Sequence, residues 1–190
     1  MLKLNFNPFP GLATARLHLV EIKTIDAIDI LKFRSNKEAM KYIGKPLAKE
    51  IFEIEKLIKS MEEGIATNTA IAWGISLKNS STVIGTIGFH KIESEHYRAE
   101  IGYMLHPNYW RQGLMEEAIE CILGFGFLNL NFHSIQAVID PNNIASAAIL
   151  TKFNFVEEAY LRENYFFNGS FQDTAIYSIL KSSYTDAKMH

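Results

Sequence analysis

The stretch Ala99–Glu116 reads Ala-Glu-Ile-Gly-Tyr-Met-Leu-His-Pro-Asn-Tyr-Trp-Arg-Gln-Gly-Leu-Met-Glu, a strand, a short loop and a one-glycine turn opening into a helix. Such a turn leaves the first N–H groups of the helix without intrahelical partners and aimed outward. Together with the helix dipole they make a site for an anion, and a pyrophosphate suits it. Gly113 lets phosphate oxygens approach the backbone with no β-carbon in the way. The plainer alternative is that it eases an ordinary loop into a helix. Other phosphate signatures fail. There is no Gly-x-x-x-x-Gly-Lys-Ser/Thr, Gly85 and Gly88 fall inside a strand pattern, and Gly124 and Gly126 fall inside a helical one. A pyrophosphate held at this turn would rest on backbone amides, with no metal required.

Glu100 lies on an otherwise apolar strand, where desolvation is expected to raise its pKa towards the range of a useful base. Its structural alternative is a carboxylate bonded to a neighbouring loop or paired with an Arg. Asn143 and Ser146 stand one helical turn apart and share a face, and Asn143 also suits a helix N-cap. The lone cysteine, Cys121, falls on the apolar side of a helix and is expected to pack there; no His or Asn constellation marks it as a nucleophile. The six histidines are scattered without metal-ligand spacing, so no metal is expected.

The elements that must position these groups follow from periodicity. Arg16–Glu21 alternates like a half-buried strand. Thr24 is placed to cap a helix with Ile25, Ile28, Leu31 and Ile30 along its stripe, and Lys49–Glu63 predicts a second helix that Gly64 ends. Ala70–Leu77, Thr82–Ile92 and Arg98–His106 predict three strands. Leu114–Leu128 is helical, Ser134–Ile139 a short buried strand, and Asn142 or Asn143 caps a helix to about Phe153. Two strands flank Asn168-Gly169-Ser170. The expectation is one α/β domain over residues 1–190 with a mixed, mostly antiparallel sheet flanked by helices and a crossover helix near its middle.

With 48% apolar and 21% charged residues the chain has ordinary globular composition. Its 19 Lys and Arg against 21 Asp and Glu include no basic block of the kind a nucleic-acid partner requires. One cysteine, no signal-peptide core and no apolar run near about 20 residues suggest a cytoplasmic protein with no membrane partner.

Trp110-Arg111-Gln112-Gly113-Leu114-Met115 resembles the acetyl-CoA pyrophosphate loop of the GNAT acetyltransferases, Gln/Arg-x-x-Gly-x-Gly/Ala, with Trp110 and Met115 as departures. The chain looks closest to the Rim-type branch, which includes ribosomal-protein N-terminal acetyltransferases. Its marks run from Thr14 to Leu180: Thr14-x-Arg16-Leu17-x-Leu19, Ile84-Gly85-x-x-Gly88, Glu100-Ile101-Gly102-Tyr103 before Pro107-x-Tyr109-Trp110, Asn143-x-x-Ser146, Lys152-Phe153-Asn154-Phe155 and Asn168-Gly169-x-Phe171-x-Asp173.

The resemblance implies direct attack of an amine on the thioester of acetyl-CoA. It assigns the pyrophosphate to backbone amides of Arg111, Gln112, Gly113, Leu114 and Met115, and the pantetheine arm to Met104, Leu105 and His106. It makes an amide of Met104 or Leu105 the oxyanion donor and Glu100 the candidate base. It places Asn143 on the pantetheine and Ser146 near the sulfur. Leu150 stands where many relatives carry a Tyr acid, so Ser146 is the substitute, and His106 can assist near the thioester. Rim-type relatives build the amine's entrance from the terminal hairpin and the N-terminal helices, the region of Arg34, Asn36 and Tyr42. A protein N-terminal amine in an open groove and a small amine (amino acid, polyamine or aminoglycoside) in a closed acidic pocket remain alternative acceptors. A non-catalytic acyl-CoA-binding module is a third reading.

Overall fold

The structure, a computed structural model, describes residues 1–188. The chain folds as β1 (Leu12–Ala13), β2 (Leu17–Glu21), α1 (Ala27–Arg34), α2 (Lys37–Met40), α3 (Ile51–Ala66), β3 (Ile71–Leu77), β4 (Gly85–Glu93) and β5 (Arg98–Leu105). It continues through α4 (Leu114–Gly124), β6 (Ser134–Ile139), α5 (Ile144–Lys152), β7 (Val156–Phe167), β8 (Ser170–Leu180) and α6 (Lys181–Lys188). The eight strands form one sheet in the order β1-β2-β3-β4-β5-β6-β8-β7. Every pairing is antiparallel except β5 with β6. That pair needs a crossover, and α4 supplies it.

Alternation along the strands feeds a core on each face. Ile71, Trp73 and Ile75 of β3 and Ala99 and Ile101 of β5 pack with Ala118, Ile119 and Ile122 of α4. Met104 of β5 faces the other way, into a cluster with Ile30 and Phe33 of α1 and Ile54 and Ile58 of α3. One strand therefore has α4 behind it and the N-terminal helices in front.

Several local expectations are corrected. Thr24 does not cap α1: Thr24–Asp26 is a tight 3-10 turn, whose Asp26 carboxylate accepts from Lys23 N at 2.8 Å. The turn rotates the helix, so Ala27, Ile30 and Phe33 are buried while Ile25 and Ile28 stand 86% and 60% exposed. Gly64 does not end α3. A β-carbon there would lie 2.9 Å from that of Ala70, and the stop falls at Thr67, followed by Asn68 with φ 55°. Asn tolerates that left-handed conformation and replaces the glycine. The helix expected to reach Leu128 ends at Gly124 and widens into a π turn, Phe125–Asn129. β1, α2 and α6 carry too little periodicity to be read from sequence.

Candidate active site

The parallel pair at the centre of the sheet is short. β5 and β6 are in register at Arg98↔Ser134, Ala99↔Ile135 and Glu100↔Gln136, and then they part. The outer ladders continue, β4 holding β5 to Gly85↔Leu105 and β8 holding β6 to Ile139↔Ala175. The result is a wedge-shaped opening with a free edge on β5. His106 N donates to Ile84 O at 2.8 Å, so alternation turns the amides of Met104 and Gly102 towards β4 and those of Leu105 and Tyr103 into the opening. Of the two amides the sequence offers for an oxyanion, the ladder occupies that of Met104, and that of Leu105 faces the gap. The Leu105 carbonyl accepts from the Trp110 indole at 2.8 Å, which gives Trp110 a place the family pattern did not predict.

The turn before α4 takes two left-handed residues, Arg111 at φ 58° and Gly113 at φ 71°. At Gly113 the nearest atom to an added β-carbon is Arg16 Nη2 at 3.5 Å, so the glycine is required by its backbone angle more than by lack of room. The first turn of α4 carries Glu116 and Glu117, a poor neighbourhood for a phosphate unless their charges are met. Both are. Lys152 pairs with Glu116. Arg16 binds Glu117 through Nε at 2.6 Å and its own N–H at 2.7 Å, the Thr14 hydroxyl donates to the same carboxylate, and Arg16 Nη1 reaches Gln112 O at 2.9 Å. Burial raises the Glu117 carboxyl, but the hydrogen bonds from Thr14 and Arg16 outweigh it and hold the group below its usual range. Arg16 thus ties β2 to the turn and neutralises an acid beside it, a function that its place in the Thr14-x-Arg16 motif did not reveal.

A groove of about 470 Å³ runs from this turn along the free edge of β5; Arg111, Gly113, Leu114, Met115, Leu105 and Asn143 are among its walls. Backbone amides at one end and an open strand edge along its length fit a pyrophosphate and a pantetheine arm, the latter as an added strand. Gln112 and His106 line neither this groove nor the neighbouring cavity. The Gln112 side chain donates to Asn108 O at 3.0 Å, and His106 Nδ1 accepts from Asn108 N at 3.2 Å, so both shape the loop.

A second cavity of about 480 Å³ opens on the face of α1 and α3, and Glu100 lies in its wall. The rise in pKa expected for this residue is overturned. Burial does push its carboxyl up, but His90 Nε2 at 2.8 Å from Oε1 and Lys91 Nζ at 2.8 Å from Oε2 outweigh it and bring the pKa down to about 2. Gln136 Nε2 adds a contact at 3.4 Å. Successive strand residues ordinarily face opposite ways; a bulge after His90, with Lys91 at φ 47°, brings both onto one carboxylate. Gly102 makes the space: a β-carbon on it would lie 2.8 Å from His90 Cε1. His90 and Lys91 were not singled out from sequence, because only the register of β4 on β5 discloses them.

Asn143 caps α5, its Oδ1 accepting from Ser146 N at 3.1 Å, and of the two asparagines expected to cap it is the one that does. Ser146 Oγ lies 2.7 Å from the Tyr103 hydroxyl. Burial pushes the phenol to about 12 despite the hydrogen bond it shares with Ser146, so at neutral pH it is protonated and its O–H is available as a hydrogen-bond donor. Leu150, in the place of the family's tyrosine, is fully buried. A phenol nevertheless reaches this side of the opening, from β5. Alternation puts Tyr103 on the face opposite Glu100, and that was the available signal. Cys121 is half-buried among core residues, and burial, Glu120 and Glu117 push its thiol up, away from nucleophilic use.

The groove and the cavity share Tyr42, Ile43, Tyr103, Met104, Asn143 and Ser146, so they meet where β5 and β6 part. Residues 16–156 match the acetyltransferase (GNAT) domain family. The chain is 38% identical over 173 residues to the uncharacterized N-acetyltransferase YoaA of Bacillus subtilis, covering 91% of this chain and 98% of that one. Its fold matches a GNAT-family acetyltransferase from Bacillus anthracis with TM-score 0.81 at 23% identity, covering 91% of this chain and 99% of that one. It also matches the spermidine N-acetyltransferase of Vibrio cholerae in complex with CoA and spermine, with TM-score 0.79 at 25% identity, covering 89% and 98%. The wedge between two parallel strands, the turn at Gly113 and the matched span agree: the chain belongs to the GNAT family and is an N-acetyltransferase.

Proposed function

We propose that the protein transfers acetyl from acetyl-CoA directly to a primary amine, the cofactor lying in the groove and the amine entering through the cavity beside Glu100. The observation that carries this reading is the junction of the two spaces at Tyr103, Met104, Asn143 and Ser146. Bound acetyl-CoA supplies an acetyl group activated as a thioester. The amides of Arg111 to Met115 and the paired first turn of α4 hold the pyrophosphate, Asn143 faces the pantetheine, and the Leu105 amide donates to the developing oxyanion. His90 takes the proton that the attacking amine loses. Glu100 orients it, since a carboxylate held at about 2 is a weak proton acceptor near neutral pH. Ser146, backed by Tyr103, protonates the departing thiolate.

The acceptor is a protein N-terminal amine or a small amine, and the cavity discriminates among the small ones. The Vibrio cholerae relative is a spermidine acetyltransferase. In this chain the cavity beside Glu100 carries three permanent cations, Arg34, Lys45 and Lys91, against one carboxylate, which disfavours a polycation. Calorimetric titration with acetyl-CoA tests the cofactor half. Wild type binds, and Gly113→Asp, a β-carbon at φ 71° bearing an anion at the phosphate site, loses binding. A folded wild-type protein that takes up no acetyl-CoA would sink the reading.

A further inference from the structure

We infer that the acceptor amine carries a carboxylate or a comparably compact anion, and that Arg34 binds it inside the cavity beside Glu100. The inference rests on the proposed transfer to an amine and names the class of that amine.

Arg34 closes α1, and its carbonyl is fixed by Ala48 N at 3.0 Å. Its guanidinium is half-buried in the cavity wall. Among the described residues it meets no carboxylate within ion-pair distance; its side-chain contact is Met40 Sδ at 3.8 Å. Burial pushes its pKa down, the signature of a cation short of a counter-charge. Holding an unpaired cation in such a place is costly, and an incoming anion relieves the cost. Guanidinium is also the group whose planar donor fork matches a carboxylate.

The rest of the cavity supports the same ligand. Lys45 is exposed at its mouth and, among the described residues, has no ion pair. Lys91 is committed to Glu100, whose two oxygens are both taken. No carboxylate in the wall is left to receive a cationic substrate. An anion on Arg34 fixes one end of the acceptor on the α1 side and leaves its amine to reach the junction at Tyr103 and Met104. The surrounding cations also disfavour the ammonium form, so more of the bound amine is neutral and able to attack.

The test compares acceptors that differ only in charge: leucine with leucinamide, 4-aminobutyrate with 4-aminobutanamide and 1,4-diaminobutane, and short peptides with Glu or Gln at the second position. Thiol release from acetyl-CoA gives kcat/KM, and calorimetry on the CoA-saturated protein gives binding without turnover. Carboxylate-bearing members are expected to be preferred by about tenfold to a hundredfold in at least one series, and the series that responds distinguishes a free amino acid from an acidic peptide end. Arg34→Met should collapse that preference towards unity and Arg34→Lys should retain part of it. Lys45→Gln, at an exposed position that does not threaten folding, should reduce it severalfold. Carboxylate binding lost in Arg34→Met but with no turnover on any amine would uphold the anion site and sink the transferase reading. Equal use of carboxylate and amide, preference for the diamine, or a preference untouched by Arg34→Met and Lys45→Gln would overturn the inference.

Discussion

The groove and the cavity that meet at β5 settle their charges in opposite ways. Around the turn at Gly113 each acid in the first helical turn has its own cation, Glu116 with Lys152 and Glu117 with Arg16. An anion bound there would be left to backbone amides and a dipole. Around Glu100 the cations outnumber the acid, and Arg34 and Lys45 are left over. A site that takes the same cofactor in every turnover can be electrically closed, its specificity lying in backbone geometry. A site that chooses an acceptor keeps charge in reserve, and the sign of that reserve states the choice.

The largest effect should come from disturbing the excess around Glu100. Glu100→Gln removes the anchor of His90 and leaves Lys91 unpaired beside Arg34 and Lys45. Loss of general base catalysis costs about 100-fold or more in kcat/KM, and His90→Ala should cost about as much. Because the two act as one unit, the double variant should be no worse than the worse single one. Multiplying losses would show that they act separately. Acid titration reads the same contact. The Glu100 carboxyl is lowered from 4.5 to about 2, so its contribution to stability is complete above pH 4.5 and vanishes as pH falls through about 2. Urea unfolding across that window should show the gap between wild type and Glu100→Gln narrowing.

At the junction of the two spaces a smaller effect is expected. Tyr103→Phe and Ser146→Ala each remove one member of a pair 2.7 Å apart. A free thiol is a fair leaving group unaided, so each change should lower kcat about tenfold while acetyl-CoA affinity holds. Ser146 is the nearer donor if its loss alone accounts for the loss in the double variant. Equal, independent losses would place both hydroxyls on the substrate and break the relay.

The contrast was only half legible in the sequence. The turn, its glycine, the helix behind it and the cap at Asn143 are local, and local chemistry announces them: Gly113 at φ 71° and Asn143 on Ser146 N sit where residue type demands. The state of Glu100 is not local. It depends on His90↔Glu100 register and on a bulge that turns Lys91 to the same face, and neither is written in a hydrophobic pattern. Burial alone predicts a raised pKa, and hydrogen bonds from two side chains of the neighbouring strand, His90 and Lys91, reverse it. The α1 stripe failed for a related reason, since one 3-10 turn rotated Ile25 and Ile28 outward. Arg34 was expected only in the region of the amine's entrance, with no role, until α1, β4 and β5 were assembled around one space.

The smallest effect belongs to the closed side. Arg16→Ala leaves the Thr14 hydroxyl and the backbone N–H of residue 16 on Glu117 but removes the charge that balances it, and it frees Gln112 O from its donor. The Arg16 side chain is half-exposed and its partner mostly covered, so water supplies part of what is lost. The carboxylate then faces a pyrophosphate across the first turn of α4, and acetyl-CoA affinity should fall about threefold to tenfold. Glu117→Gln separates charge from scaffolding. It leaves Arg16 on Gln112 O and removes the repelling acid, so affinity should hold or rise. Arg16→Ala combined with Glu117→Gln should recover most of the loss in calorimetric titrations at low salt. If it does not, Arg16 holds the turn by shape, and the closed side is built on geometry with no electrical part for this pair.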